Sequence, residues 1–331
     1  MTLSSTDRPL HAVHDLVMLD LDGVVYRGPD AVPGAQAALT AVAEAGTPLA
    51  YLTNNASRTA DTVVDHLREL GMPVVDADVV TAAQAVARVM ADDLPPGSRV
   101  LLVGGEGLRV PLEERGLRCV TSLDDDPAAV VQGFHPDLGW HDLAEAAYAV
   151  QAGLPWYASN TDLSVPTARG VAPGNGSLVQ AVANATGATP VVAGKPHRPL
   201  FDETLRRTGA SSPLMVGDRV DTDIDGATAL GLPSLAVLTG VSGLDELADL
   251  EPERRPAFVG RDVGALLDVH RAVDVADDRA RCGGAEARLV GDDVQADGTG
   301  TDAVRAVLAL AWHLRDTSGR RVGVTPPGGV G

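Results

Sequence analysis

A parallel α/β sheet is the fold class this chain predicts, and three observations carry it. Short apolar runs alternate with amphipathic stretches of helical period along most of the 331 residues. The first run, Leu16–Leu19, is apolar on both faces, as a strand covered by helices on both sides must be. Gly46 and Gly71 close the two helical stretches that follow, where a helix end favours a residue free to turn left-handed.

In order, Leu16–Leu19 is a strand, Ala35–Ala45 a helix, Pro48–Leu52 a strand and Thr59–Leu70 a helix. A different block runs from about Asp78 to Val192. Within it the pattern predicts helix Ala82–Met90, strand Arg99–Val103, helix Val110–Glu114, strand Ala129–Gln132, helix Asp142–Gln151 and strand Trp156–Ser159. Leu214–Val216 and Ser234–Leu238 return as core strands. Composition then breaks after about Asp274. The last stretch is rich in Asp, Gly and Arg, with one helical segment at Thr301–Leu314, and Gly319–Gly331 is expected to be a disordered tail. No internal repeat of fixed period occurs.

The length allows two domains, because a single core stops growing near roughly 250–300 residues. Aromatic residues make up 3% of the chain, so Ala, Val and Leu must build most of the core. A formal charge of −19 argues against nucleic acid and anionic membrane surfaces as partners, both of which recruit basic patches. It also means that an anionic substrate needs a local positive site. Cys119 and Cys282 have no metal-site spacing. Residues 1–14 lack an apolar targeting core and no run of about 18 apolar residues occurs, so the expected location is the cytoplasm. A homodimer is a possible assembly.

Four motifs carry chemistry. The 26 basic residues include one lysine, Lys195, in Val192-Ala193-Gly194-Lys195-Pro196. A position that keeps an ammonium in an arginine-rich chain points to a compact charge on a flexible stem, suited to meeting a phosphate and a carboxylate together. A lysine surviving by chance on the surface is the plainer alternative. Asp20-Leu21-Asp22-Gly23 ends the first strand. Spacing of two puts both carboxylates on one side of a strand, at the sheet edge where such folds bind ligands. Their repulsion calls for a cation or a shared proton, and hard oxygen donors suit Mg²⁺. An Asp-Gly turn is the bland alternative. An EF-hand loop fails, because its fifth and twelfth positions would be Val24 and Ala31. Thr53-Asn54-Asn55 ends the second strand just before a helix, where a hydroxyl, an amide and N–H groups can take an anion, although the same residues serve as ordinary caps. Gly217-Asp218-Arg219-Val220-Asp221-Thr222-Asp223 follows another strand and adds carboxylates.

Together, and in this order, the four motifs resemble those of the haloacid dehalogenase-like phosphohydrolases. Within that superfamily the chain is similar to the p-nitrophenylphosphatase type, which carries a large α/β cap between the second and third motifs. Asp20-Leu21-Asp22-Gly23-Val24-Val25-Tyr26-Arg27-Gly28 fits the first motif, while Ala158-Ser159-Asn160-Thr161-Asp162 and Pro173-Gly174-Asn175-Gly176 look like the cap's signature segments. The resemblance covers about Asp15 to Gly243. It implies a Rossmann-like core at 1–77 and 193–274, a cap at 78–192 and a small C-terminal extension at 275–331. It also implies that Asp20 is a nucleophile forming an aspartyl-phosphate and that Asp22 is the general acid and base. Lys195 would bridge nucleophile and phosphate. Gly23, Thr53, Asn54 and Asn55 would bind the phosphoryl group through side chains and backbone N–H groups. Mg²⁺ would be held by Asp20, Asp22 through its carbonyl and Asp218, with Asp223 orienting its waters.

Weaker features remain. Val103-Gly104-Gly105-Glu106-Gly107-Leu108 misses the dinucleotide fingerprint because Val110 stands at the third glycine position. His135, His197 and Arg58 are candidates for the leaving group, or plain surface residues. Trp140, Trp156 and Tyr157 are expected in the cap core. Gln295-Ala296-Asp297-Gly298-Thr299-Gly300 resembles the pyrophosphate loop of acetyltransferases related to histone acetylases, but about fifty residues are too few for that domain, so a partial unit packed on the core is expected. A phosphatase core with such an appendage is similar to glycerol-3-phosphate phosphatases of GC-rich bacteria. The sequence therefore predicts a Mg²⁺-dependent phosphomonoesterase for a small metabolite, with glycerol 3-phosphate first and 2-phosphoglycolate, pyridoxal phosphate or nucleoside monophosphates as alternatives. A bifunctional or acyl-CoA-binding protein and a silent phosphate-binding module are the readings from other classes.

Overall fold

A computed structural model describes residues 2–167 and 169–328. The first elements are β1 (Leu16–Asp20), α1 (Ala35–Glu44), β2 (Leu49–Thr53), α2 (Ala60–Glu69), β3 (Val79–Thr81) and α3 (Ala82–Asp93). Then come β4 (Arg99–Val103), α4 (Glu106–Glu114), β5 (Arg118–Val120), β6 (Ala129–Gln132), α5 (Trp140–Gln151) and β7 (Trp156–Ala158). A hairpin β8 (Ser164–Thr167) and β9 (Gly170–Pro173) precedes α6 (Asn175–Thr186), β10 (Val191–Val192) and α7 (Arg198–Thr208). Next are β11 (Pro213–Gly217), β12 (Ser234–Val237) and β13 (Phe258–Gly260), and the chain closes with β14 (Val273–Ala276), β15 (Arg279–Cys282), β16 (Ala285–Val290), β17 (Asp293–Asp297), α8 (Gly300–Ser318) and β18 (Gly323–Val324).

The chain divides into two compact units. Unit 1 comprises 1–50, 70–73 and 210–331, and unit 2 comprises 51–69 and 74–209. The first sheet has the order β13-β12-β11-β1-β2-β3, with parallel pairing of β1 to β11, β11 to β12 and β12 to β13. The division falls inside β2, so Tyr51–Thr53 and its parallel partner β3 belong to unit 2. β1 and β11 are buried at every residue, as apolar runs covered on both faces should be.

Unit 1 also holds an antiparallel sheet, β14-β15-β16-β17, with β18 added in parallel to β17. The 19-residue α8 buries Ala303, Val304, Val307, Leu308, Ala311 and Trp312 in one cluster with Ala280, Cys282 and Val294 of that sheet and with Ala236 and Val259 of the first. The expectation that the extension packs on the core is met. Two expectations about it are corrected. The stretch holds four antiparallel strands besides its helix. Gly323–Val324 is a paired strand rather than disordered tail, while residues 329–331 of that tail lie outside the described residues. Alternation hid here behind polar composition: β15 is Arg-Ala-Arg-Cys, with only Ala280 and Cys282 buried.

Unit 2 is built on the five-stranded parallel sheet β10-β7-β6-β4-β5, with α5 and α6 contributing Ala146, Ala149, Val179 and Val182 to its core. Trp156 and Tyr157 are buried as expected. Trp140 is not: it opens α5 and is 71% exposed, on a first turn whose residues 140–142 are all exposed, whereas the buried residues of that helix begin at Ala146. The helix expected at Val110–Glu114 starts earlier, at Glu106, and takes Pro111 into its interior.

Candidate active site

In unit 1 the sheet delivers three carboxylates to one place. Asp20 is the last residue of β1, and Asp218 follows β11, the strand paired with it. After Asp218 the chain coils through Val220–Ile224, which returns Asp223 so that its Oδ2 accepts the Arg219 N–H at 3.2 Å. Oxygens of Asp20, Asp218 and Asp223 all lie within 4.8 Å of one another, and all three residues are buried. Like charges at about 4 Å cost about 4 kcal/mol per pair at an effective dielectric of about 20. Hydrogen bonds net roughly 1 kcal/mol each and do not offset that. A divalent ion does, and an all-oxygen donor set suits Mg²⁺.

Glycines make room for the cluster. A Cβ at Gly240 would collide with the Asp218 carboxylate, one at Gly217 would collide with Asp223, and one at Gly23 would meet Asp218 Oδ2 at 2.5 Å. Gly23 also has φ +89°, a left-handed conformation that resists any side chain. The loop after β12 finishes the cradle. The Val241 N–H donates to Asp218 Oδ2 at 2.7 Å, the Ser242 N–H donates to the Asp218 carbonyl at 2.9 Å, and Thr239 Oγ1 donates to the Gly23 carbonyl at 2.6 Å. Residues 239–242 were not anticipated; a Thr-Gly-x-Ser turn directly after a core strand is the signal that could have found them.

Two expectations here change. β1 stops at Asp20, so the period of two does not reach Asp22, which is exposed in the following turn and has no side-chain part in the carboxylate cluster. The Gly23 N–H donates to the Tyr26 carbonyl at 2.8 Å and is committed to that turn rather than open to a phosphate. Asp221 is also apart from the cluster: hydrogen bonds from Arg219 hold its carboxyl below the usual range.

Unit 2 brings together the second and third motifs. Thr53 ends β2, is buried, and accepts the Asn55 N–H on Oγ1 at 3.0 Å. Asn55 caps the loop by accepting both the N–H and the hydroxyl of Ser57, at 2.9 and 2.7 Å. α2 begins only at Ala60, with Thr59 Oγ1 accepting the Thr62 N–H, so Thr53-Asn54-Asn55 does not stand at that helix's N-terminus as expected. Asn54 and Lys195, 141 positions apart, are both buried and paired. Asn54 Oδ1 accepts the Lys195 N–H at 2.8 Å, and Asn54 Nδ2 donates to the Lys195 carbonyl at 3.0 Å. The signature segments 158–162 and 173–176 join the same network through Asn160, Asp162 and Asn175. His135 accepts the Asp137 N–H at 3.3 Å and its ring fills the space that a Cβ at Gly105 would take, while Arg58 and His197 are exposed.

The family description "Haloacid dehalogenase-like hydrolase" matches residues 17–118, and "HAD-hydrolase-like" matches 192–266. The chain belongs to the haloacid dehalogenase-like hydrolases and is an enzyme of that class. Its relatives are phosphatases. It is 44% identical over 309 residues to the D-glycerol 3-phosphate phosphatase of Mycobacterium tuberculosis, covering 91% of this chain and 87% of that one. It is 35% identical over 232 residues to an acid sugar phosphatase of Staphylococcus aureus, covering 70% of this chain and 88% of that one. The crystal structure of a glycerol phosphate phosphatase from Mycobacterium tuberculosis in complex with magnesium superposes with a TM-score of 0.83 at 41% identity, over 97% of this chain and 95% of that one.

Proposed function

We propose that this phosphatase is a magnesium-dependent phosphomonoesterase that hydrolyses glycerol 3-phosphate through a phosphoryl group carried on Asp20. The observation that carries the chemistry is the buried cluster of Asp20, Asp218 and Asp223, whose crowded charge calls for a divalent cation. The identity to the mycobacterial phosphatase along most of the chain supports the substrate.

Asp20, Asp218, Asp223 and the carbonyl of Asp22 would hold Mg²⁺, which would neutralise charge on the phosphoryl oxygens. The Asp20 carboxylate attacks phosphorus as the ester P–O bond breaks. The departing alkoxide takes its proton from Asp22, which is exposed in the turn after β1. Asp22 then takes a proton from the water that attacks the aspartyl-phosphate, releasing inorganic phosphate and restoring both carboxyl groups. Thr53 and the backbone N–H of Asn54 bind phosphoryl oxygens, and Lys195 supplies the compensating ammonium; the Asn55 N–H is committed to Thr53 Oγ1 and takes no part.

The reading takes 1–77 and 193–274 as catalytic core, 78–192 as cap and 275–331 as extension. In its support, the five-stranded sheet falls wholly within 78–192. Charge argues against nucleic acid or an anionic membrane as partner, and no described helix is long and apolar enough to cross a membrane. A cytoplasmic setting and a homodimer complete the proposal; light scattering of the purified protein checks the second. The deciding experiment is phosphate release from a panel of small phosphomonoesters, with Mg²⁺ and with EDTA. Glycerol 3-phosphate should lead with Mg²⁺, and EDTA should silence every substrate. A lead by 2-phosphoglycolate or a nucleoside monophosphate would replace the substrate, and activity surviving EDTA would remove the metal.

A further inference from the structure

Asn54 stands where the sequence places a phosphate-binding residue, yet its side chain is occupied elsewhere. A carboxamide has two N–H donors. Asn54 Nδ2 donates to the Lys195 carbonyl at 3.0 Å and to Asp162 Oδ1 at 3.1 Å, which leaves no donor for a phosphoryl oxygen. Its Oδ1 accepts the Lys195 N–H at 2.8 Å. The side chain therefore closes on both backbone groups of Lys195, as a neighbouring strand would.

The clamp is itself braced. Asn160 Nδ2 donates to the Asn54 carbonyl at 2.6 Å, and Asn175 Nδ2 donates to the Asn160 carbonyl at 2.7 Å. The Asp162 N–H donates to Asn160 Oδ1 at 3.2 Å. On the lysine side, the Gly194 N–H donates to the Ser159 carbonyl at 2.7 Å, and a Cβ at Gly194 would lie 2.6 Å from Asn54 Oδ1 and 2.7 Å from the Ser159 carbonyl. A glycine precedes the lysine because the clamp needs that space. Asn54, Asn160, Asn175 and Lys195 are all buried. An array of buried amides joined this way is rigid, since any displacement strands a polar group away from water.

We propose that Asn54 is a positioning residue for catalysis: its carboxamide, braced by Asn160 and Asn175, sets the backbone from which the Lys195 ammonium projects. The lysine stem has freedom that phosphoryl transfer cannot tolerate, and fixing both backbone groups at its root removes part of it. The inference rests on the reading of Lys195 as the ammonium that serves the phosphoryl group.

A double-mutant cycle on the full chain tests it, with p-nitrophenyl phosphate as substrate so that the outcome does not depend on glycerol 3-phosphate. Asn54→Ala should lower kcat about a hundredfold with KM within about threefold, the scale of a small misplacement. In the Lys195→Ala background the same substitution should cost no more than about threefold further, because the group it positions is gone. Losses that multiply across the two sites would overturn the positioning role while leaving Lys195 in place. A wild-type rate for Lys195→Ala would remove the lysine reading itself and the inference with it. If Asn54→Ala fails to fold, judged by thermal unfolding, the near-isosteric Asn54→Asp takes its place in the cycle with the same outcomes, since it keeps an acceptor for the Lys195 N–H but loses both donors.

Discussion

The acidic cluster of unit 1 and the amide network of unit 2 show two ways of burying polar groups. Asp20, Asp218 and Asp223 gather like charges within 4.8 Å, in a cradle of glycines and backbone N–H groups. Asn54, Asn160 and Asn175 are neutral, and the Asn54 carboxamide meets donors and acceptors inside its own unit. The first arrangement costs several kcal/mol until a cation arrives; the second pairs the whole Asn54 carboxamide and leaves Asn175 Oδ1 as a buried atom without a hydrogen bond. Affinity for a metal thus comes from the region of crowded charge, and the setting of a side chain comes from the region of paired amides.

The largest test of that contrast is removal of the proposed nucleophile. Asp20→Asn should lower phosphate release by roughly ten-thousand-fold or more while thermal unfolding stays close to wild type, because it deletes a reacting group and also relieves repulsion. Ordinary turnover would break the comparison at its root. Next comes Lys195→Arg, with equal charge but a planar, bulkier head in a buried setting; about a hundredfold loss in kcat is expected, and near-normal kinetics would show that any cation suffices. A smaller effect should follow Gly240→Ala, whose added carbon collides with Asp218. Apparent Mg²⁺ affinity, read from activity against metal concentration, should fall about ten- to a hundredfold, with kcat at saturating metal changed less.

The smallest effect uses pH to separate the units. Burial holds His270 down at about 4; its ring nitrogens lie 2.9 Å from the Ala265 carbonyl and 3.1 Å from an Arg305 guanidinium nitrogen, which fits the neutral form. The unfolded chain takes up that proton first, near pH 6.5. Stability from His270 is therefore full above about pH 6.5 and is lost as pH falls toward about 4, by about 3 kcal/mol in all. His11 and His14, also in unit 1, are lowered by burial in the same direction. In unit 2, burial works to raise Glu203, but hydrogen bonds from Arg206 and Arg207 outweigh it and hold the carboxyl below its ordinary range. Its contribution survives until pH drops below about 4.3. Amide protection factors, with the intrinsic exchange rate at each pH divided out, should therefore fall in unit 1 first between pH 7 and 5. Equal loosening of both units would show that the histidines do not set acid stability.

Much of this was legible before any coordinates. Strands buried on both faces announce themselves, so β1, β4 and β6 fall where apolar runs predict them, and motifs at their ends mark the sheet edge. The failures have causes of the same kind. Strands such as Arg279–Cys282, with two small buried residues between arginines, carry too little apolar signal to stand out in a polar stretch. Trp140 looked like core because aromatic residues usually are, but it lies in the exposed first turn of α5. The backbone commitments of Gly23 and the side-chain commitments of Asn54 have no local signature at all.

Residue chemistry and order along the chain were enough to determine the class of fold, the carboxylates that gather in the buried cluster and the solitary lysine, because each depends on composition over a few neighbouring positions. Which groups share one space was decided by folding. Asp20 meets Asp218 only because β1 pairs with β11, and Asn54 reaches Lys195 across 141 positions only because two chain segments converge. Distance between remote residues follows from the packing of whole elements, and no local pattern encodes it.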